Sequence, residues 1–272
     1  MLLYCKDSLV YVDISNQKNR VQEIRLYASM LEAGWNLYVS KDQLSSLRQI
    51  KGIKTGTTSN KKKVDITILT NHSMPITSIN NVASELIFPE WFFNKNNDLS
   101  KSDKAIFEGL VTKERIKYLA RMLDHGRLRE KLCLYTFYIG KKYSGFIVGK
   151  LLSTRNVRIK FSFKGRKKDF KLYDNDYFYN LGSNKFVICP PGDFVWTYRL
   201  FETVIVKSIP IINHEDAYVN KYGLITKTIN DIKHLNHEDF NDIVNKNYEI
   251  VKKNICKRSS LKDLLNHYEQ KV

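Results

Sequence analysis

One stretch limits the fold of this chain more tightly than any other: KFVICPPGDFVWTYRLFETVIVKSIPIINHED, Lys185–Asp216. It reads as strand, tight turn, helix and second strand. Phe186–Cys189 form a short apolar run that Pro190, Pro191 and Gly192 stop abruptly, the pattern of a buried strand followed by a turn. Asp193 stands where a helix N-cap belongs. Over Val195–Lys207 the apolar residues Leu200, Phe201, Val204 and Ile205 recur at helical spacing, and Arg199 and Glu202, three apart, share a face near the start. Pro210 closes the helix, and Ile209–Ile212 resume a strand.

Such a segment offers an anion two things: free N–H groups at a helix N-terminus and the positive end of the helix dipole, both reached by a tight glycine turn at the carboxyl end of a strand. Arg199 can add a charge-assisted contact to phosphate or base, and a carboxylate such as Glu202 is the usual acceptor for a ribose hydroxyl pair. The same two residues also read as an intrahelical ion pair. That pair contributes only about 0.2–0.5 kcal/mol, and Arg before Glu is the less favourable order. The residues alone leave both readings open.

The motif CPPGDFVWTYRLFETVIVKSIPII resembles the signature of exostosin-type glycosyltransferases and their compact bacterial and viral relatives, in which Cys-Pro-x-Gly precedes an Arg-x-x-(Glu or Asp) helix and a small-x-Pro strand. The matching positions are Cys189, Pro190, Gly192, Arg199, Glu202, Ile209 and Pro210. The resemblance implies a donor site for a sugar nucleotide, with Glu202 on the ribose and Arg199 near the diphosphate or uracil. Lys207 departs from it, since the family carries a glycine or another small residue between helix and strand. The fold implied is α/β, with two Rossmann-like domains facing a cleft, the GT-B-type glycosyltransferase architecture, and a final helix crossing back to the first domain.

The rest of the sequence is consistent with repeated α/β units. With 272 residues, 43% of them hydrophobic, the chain can bury a large core, and disorder throughout is excluded. Leu9–Ile14 read as a strand, Asn19–Ala33 as a helix ending at Gly34, Asn36–Ser40 as a strand, Lys41–Ile50 as a short helix and Val64–Thr70 as a strand. This alternation argues for parallel βαβ units. Glu85–Phe93, dense in aromatics, is expected at a domain edge or cleft wall. Residues 94–104, NKNNDLSKSDK, form the clearest linker. The expected domains are therefore 1–100 on the acceptor side, 101–250 on the donor side, and 251–272 as the terminal helix. In the second half Ala105–Val111 read as a strand, Lys113–Leu123 as a helix, Cys133–Ile139 as a buried strand and Asp174–Leu181 as a short helix, with further helices at Glu238–Ile255 and Ser260–Tyr268.

Charge and cysteines narrow the partners. The net charge of +17 comes from 45 Lys and Arg against 28 Asp and Glu, enough for non-specific attraction to phosphates. The lysines are dispersed, however, and no RRM, KH, helix-turn-helix or zinc-finger pattern accompanies them. Solvated loops account for this distribution without any partner; among partners, a basic cleft for a sugar nucleotide, or an anionic glycan or membrane surface, fits it better than nucleic acid does. Cys5, Cys133, Cys189 and Cys256 are too scattered for a metal site and point to buried thiols or a reducing compartment. With no signal-like start and no long apolar run, the expectation is a soluble cytoplasmic protein.

Other residues are candidates for the remaining chemistry. Gly109 ends a strand, and Thr112, Lys113 and Arg115 open the next helix, so a glycine turn and two cations meet where a diphosphate would sit; Thr112 as a plain N-cap is the competing explanation. Pro191, Gly192 and Asp193 form the corresponding turn after Cys189. Asp174-Asn175-Asp176 has the Asp-x-Asp spacing of metal-dependent transferases, but a helix cap accounts for it more economically, so no divalent metal or other cofactor is expected. His214, Glu215 and Asp216 follow a strand at its carboxyl end and are candidates to hold the donor sugar or the acceptor. An inverting transfer also needs a base, for which the candidates are Asp13, His72 and Glu90. The sequence thus predicts an inverting transferase moving a sugar from a nucleotide donor, a UDP-sugar, to a glycan acceptor, with xylose, galactose, glucuronic acid and N-acetylglucosamine as candidate sugars. The alternative is a non-catalytic, basic α/β protein that binds nucleic acid or glycan.

Overall fold

A computed structural model describes residues 2–6, 9–13, 21–39, 47, 50–55, 62–65, 68–71, 76–79, 82–84, 87–95, 99–139, 144–162, 172–191 and 197–270. The contacts divide the chain into two compact units. One contains Met1–Lys95, Asp169–Tyr173 and Lys252–Val272, and the other Asn96–Lys168 and Asp174–Val251.

In the first unit, β1 (Leu2–Lys6) and β2 (Leu9–Asp13) form a hairpin, and α1 (Val21–Glu32) leads to β3 (Asn36–Val39), which lies parallel to β2. With β4 (Lys54–Thr55) and β5 (Lys62–Asp65) these make a five-stranded sheet ordered β4-β3-β2-β1-β5. A separate antiparallel sheet holds β6 (Ile68–Asn71), β7 (Ile76–Ile79) and β8 (Val82–Ser84). Two sequence expectations are corrected here. The five-stranded sheet is mixed, because β1 runs antiparallel to both β2 and β5. The run Val64–Thr70 is two strands belonging to different sheets, since alternating apolar residues specify strand character but not which partner the backbone pairs with.

Leu26, Tyr27 and Met30 of α1 are buried along with Trp35, Leu37, Phe88, Phe92 and Phe93, so the aromatic segment supplies core. The Trp35 indole donates to the Leu261 carbonyl at 2.8 Å. The Arg25 guanidinium lies 4.2 Å from the Phe88 ring centroid, a cation–π contact that offsets part of the cost of burying its charge. The short helix α2 (Trp91–Asn94) is capped from α1: the Glu32 carboxylate accepts from the N–H groups of Glu90 at 2.7 Å and Trp91 at 3.1 Å.

The second unit is built on β9 (Ser102–Leu110), β10 (Val157–Ser162), β11 (Asn184–Ile188) and β12 (Ile209–Ile211), all parallel and ordered β10-β9-β11-β12. Between β9 and β10 come α3 (Lys113–Met122), α4 (Arg127–Ile139) and α5 (Ser144–Leu152). Helix α6 (Asn175–Gly182) precedes β11 and α7 (Tyr198–Ile205) follows it; α8 (Ala217–Tyr222) and α9 (His237–Ile255) come after β12. Alternate strand residues separate the two faces. Phe107, Ile159, Ile188 and Ile211 pack with Ile116 and Leu119 of α3, Cys133 of α4, Val148 of α5 and Phe240 of α9. On the other face, where α6 and α7 lie, Ile106 and Val187 are buried. Burial on both faces explains why these strands read as nearly continuous apolar runs.

Within this unit Cys133–Ile139 is helical rather than a buried strand, a further correction. The linker also ends earlier than expected, since Ser102–Lys104 already belong to β9. Helix α7 ends in a Schellman motif: Ser208 N–H donates to Thr203 O at 3.0 Å and Lys207 N–H to Val204 O at 2.9 Å. Lys207 has φ 56°, the left-handed conformation that glycine adopts without penalty. The turn geometry that a glycine would favour is therefore kept, with a lysine in it.

Candidate functional site at the carboxyl edge of the parallel sheet

From β9 the chain goes to β10 on one side and later returns to β11 on the other, so the strand order reverses between β9 and β11. In open α/β sheets the crevice outside the carboxyl ends at such a switch point is where ligands bind. Arg199 fills this position. The Thr197 hydroxyl caps α7 by accepting from the Arg199 N–H at 3.3 Å, and the side chain reaches across to β9, where Nη2 donates to the Glu108 carbonyl at 2.8 Å. Its guanidinium lies 4.7 Å from the Phe107 ring centroid. A Cβ on Gly109 would sit 2.6 Å from Nη2, so the guanidinium uses the space that this glycine leaves. Arg199 is 7% exposed, and its Nε and Nη1 are buried without a hydrogen-bond partner among the described residues. A buried cation with unpaired N–H donors is costly unless something anionic engages it.

Glu202 lies one turn further along α7 and is fully buried. Its Oε2 accepts from the Tyr177 hydroxyl of α6 at 2.8 Å. Asp174 caps α6 by accepting from the Tyr177 N–H at 3.3 Å, while Asp176 is exposed in the first turn. No group of three or more His, Cys, Asp or Glu placed to hold a metal occurs among the described residues. Beside Arg199, burial raises the pKa of the Glu108 carboxyl, opposed by the Lys160 ammonium 3.9 Å from its Oε2.

A second polar group lies past the end of β12. The Tyr118 hydroxyl of α3 accepts from the Asn213 N–H at 2.9 Å, so its own hydrogen is directed to His214 Nδ1 at 3.2 Å. The hydrogen-bond network therefore assigns the neutral imidazole its proton on Nε2. Nε2 is buried without a hydrogen-bond partner among the described residues, and Asp216 Oδ2 lies 4.0 Å from it. Burial lowers the His214 pKa, with Asp216 opposing, so the ring is neutral at pH 7. Asp216 also caps α8, accepting from the N–H groups of Tyr218 and Val219, while Glu215 is exposed. Between the two groups, Cys189 is a buried thiol 3.4 Å from the Thr203 hydroxyl; burial pushes its pKa up to about 12, so it is no nucleophile.

The candidates from the sequence separate as follows. Gly109, read from a turn, and Arg199, read from a helix far along the chain, are in contact. Thr112 is an N-cap, accepting from the Arg115 N–H at 3.2 Å; the Arg115 guanidinium returns to the Leu110 carbonyl at 3.1 Å, and Lys113 is exposed. Pro191 is half-buried after β11, while Gly192 and Asp193 lie outside the described residues. Helix α7 starts later than expected, and its N-cap is Thr197 rather than Asp193. Of the base candidates, Asp13 ends β2, His72 lies outside the described residues, and Glu90 binds Arg258 at 2.7 Å. Sequence reasoning missed Glu108, Tyr118 and Tyr177, because each gains its role from a partner distant in the chain. The only local signal was the adjacency of Glu108 to Gly109.

No family model matches the sequence, and no curated protein matches it. Among solved structures, the chain is similar to a crystal structure of an alpha,alpha-trehalose-phosphate synthase (UDP-forming) from Burkholderia vietnamiensis. The TM-score is 0.41 at 8% identity, covering 93% of this chain and 79% of that one. Among the described residues, no helix is long and apolar enough to cross a membrane.

Proposed function

We propose that this chain is an inverting glycosyltransferase that takes a sugar from a nucleotide donor, a UDP-sugar, to a glycan acceptor. One observation carries the nucleotide site: the buried Arg199, anchored on the Glu108 carbonyl in the space left by Gly109, with Nε and Nη1 unpaired at the switch point of a parallel sheet. The resemblance of the Cys189–Pro210 motif supplies the reaction class. In this reading Arg199 engages the diphosphate and neutralises charge that develops on the leaving nucleotide. The His214 Nε2–H donates to the donor sugar or to a phosphate oxygen. Glu202 is the ribose acceptor and gives up the Tyr177 hydroxyl when it binds. Asp13, His72 and Glu90 are the candidates for the general base, each to be tested by amide or alanine substitution and its effect on kcat.

Calorimetric titration with UDP, followed by hydrolysis assays across UDP-sugars, tests this. UDP is expected to bind the native chain, and Arg199→Met to weaken it at least about tenfold, the loss of one charge-assisted hydrogen bond. UDP binding unchanged in Arg199→Met would refute the site. Donor binding is expected to persist in EDTA; complete loss of activity on chelation, restored by manganese, would overturn the metal-independent mechanism. Thermal stabilisation by oligonucleotides and not by nucleotides or nucleotide sugars would favour the basic binding protein instead.

A further inference from the structure

We propose that the outward faces of α4 and α5 dock the second unit onto an anionic lipid surface. Helix α4 has two apolar faces. Cys133 is buried in the core, with Leu134 and Phe137 packed beside it. On the opposite arc Leu128, Leu132, Tyr135 and Ile139 follow the spacing i, i+4, i+7, i+11 and face solvent, with Tyr138 next to them. Helix α5 continues the surface. Gly145 and Gly149 bring it against β10, where a Cβ on Gly149 would lie 2.8 Å from the Ile159 carbonyl oxygen, and Phe146 and Ile147 are left pointing outward. These seven residues are 44–83% exposed and account for seven of the nine exposed large hydrophobics among the described residues. Scattered exposed apolar residues need no explanation; a cluster on two packed helices marks an interaction surface.

The charge around it selects the partner. Arg127, Arg129 and Lys131 on α4 and Lys150 on α5 are exposed around the apolar residues, and the Lys150 ammonium lies 4.5 Å from the Phe146 ring centroid. Glu130 is mostly buried, its carboxylate 3.9 Å from Arg121. Leucine, tyrosine and phenylalanine ringed by lysine and arginine suit the headgroup and upper acyl region of a membrane, where apolar side chains insert and the cations are attracted to anionic lipid. A symmetric pairing of two such faces would bring like charges together, and a nucleic acid would leave the apolar arc uncovered. The net charge of +17 favours the same partner.

Co-sedimentation of the full chain with vesicles tests the proposal, using phosphatidylcholine alone and phosphatidylcholine mixed with phosphatidylglycerol. Binding to the anionic vesicles, weakened by salt, is expected. Two variants separate the contributions: the apolar Leu128→Gln, Leu132→Gln, Tyr135→Gln triple, and the charge-reversed Arg127→Glu, Lys131→Glu double. Because all five positions are exposed, both should melt as the native chain does, and each should bind anionic vesicles at least about tenfold more weakly. No binding to anionic vesicles, equal binding to neutral ones, or binding unchanged in the apolar variant would overturn the proposal. A concentration-dependent dimer in sedimentation velocity, abolished by the apolar variant, would overturn it in favour of self-association.

Discussion

Replacing Gly109 with alanine probes the contact on which the nucleotide site depends. Gly109 is not at positive φ, so alanine brings no backbone strain, and leaving glycine favours the folded chain by about 0.5–1 kcal/mol. The cost arises in front of it. The new methyl would lie 2.6 Å from Arg199 Nη2 and 3.1 Å from Phe107 Cζ. As the flexible end of its side chain, the guanidinium retreats, which sacrifices the charge-assisted bond to the Glu108 carbonyl, about 1.5–3 kcal/mol. Part of the cation–π contact with Phe107, about 0.5–2 kcal/mol in full, goes with it. The net expectation is a loss of about 2 kcal/mol, which for a unit of this size lowers Tm by about 4–8 °C. UDP affinity should fall at least about tenfold, because the donors of Arg199 leave the crevice. A double-mutant cycle isolates the pair: in an Arg199→Ala background, Gly109→Ala should cost nothing and could stabilise slightly. Equal costs in the two backgrounds, measured by urea denaturation, would refute the idea that Gly109 exists to admit Arg199.

Three further expectations concern the same edge. Tyr177→Phe removes one hydrogen bond to buried Glu202 and should cost about 1–3 kcal/mol in urea unfolding, with Glu202→Ala costing at least as much; an unchanged midpoint for Glu202→Ala would show that the carboxylate is not buried in solution. For His214, burial lowers the folded pKa below the unfolded value, so the unfolded chain takes up the proton first, and this residue's contribution to stability declines as pH falls below about 6.5. His214→Asn should flatten that part of the stability curve, and an NMR titration placing the folded pKa at or above the ordinary histidine value would contradict the sign. Cys189, its pKa raised to about 12 by burial, should resist a disulfide exchange reagent at pH 8 in the folded chain and react on unfolding; rapid labelling of Cys189, identified by mass spectrometry, would contradict its burial.

How much was legible in advance depended on the range of the interactions. The β11, α7, β12 segment could be read because each element carries its own period and stop signal: an apolar run, prolines, a 3.6-residue repeat. The same rules misread Cys133–Ile139. A run apolar on every side fits a strand buried on both faces, but here it is a helix with one apolar face in the core and the other in solvent, a distinction that local pattern does not contain. The Val64–Thr70 run failed for a related reason, since sheet membership is decided by pairing between distant segments.

The sequence by itself determined the strand, helix and strand of β11, α7 and β12, a helix cap within Asp174–Asp176, and the Arg199 and Glu202 positions as residues of interest, because propensity, capping and periodicity act within a few residues of one another. Only the tertiary structure decided what those residues touch. It set Arg199 into the space of a glycine 90 positions earlier in the chain. It buried Glu202 against Tyr177, aligned Tyr118 with His214, and turned the apolar arc of α4 outward. Each of these depends on packing and hydrogen bonding between segments far apart in the chain, which no local pattern specifies.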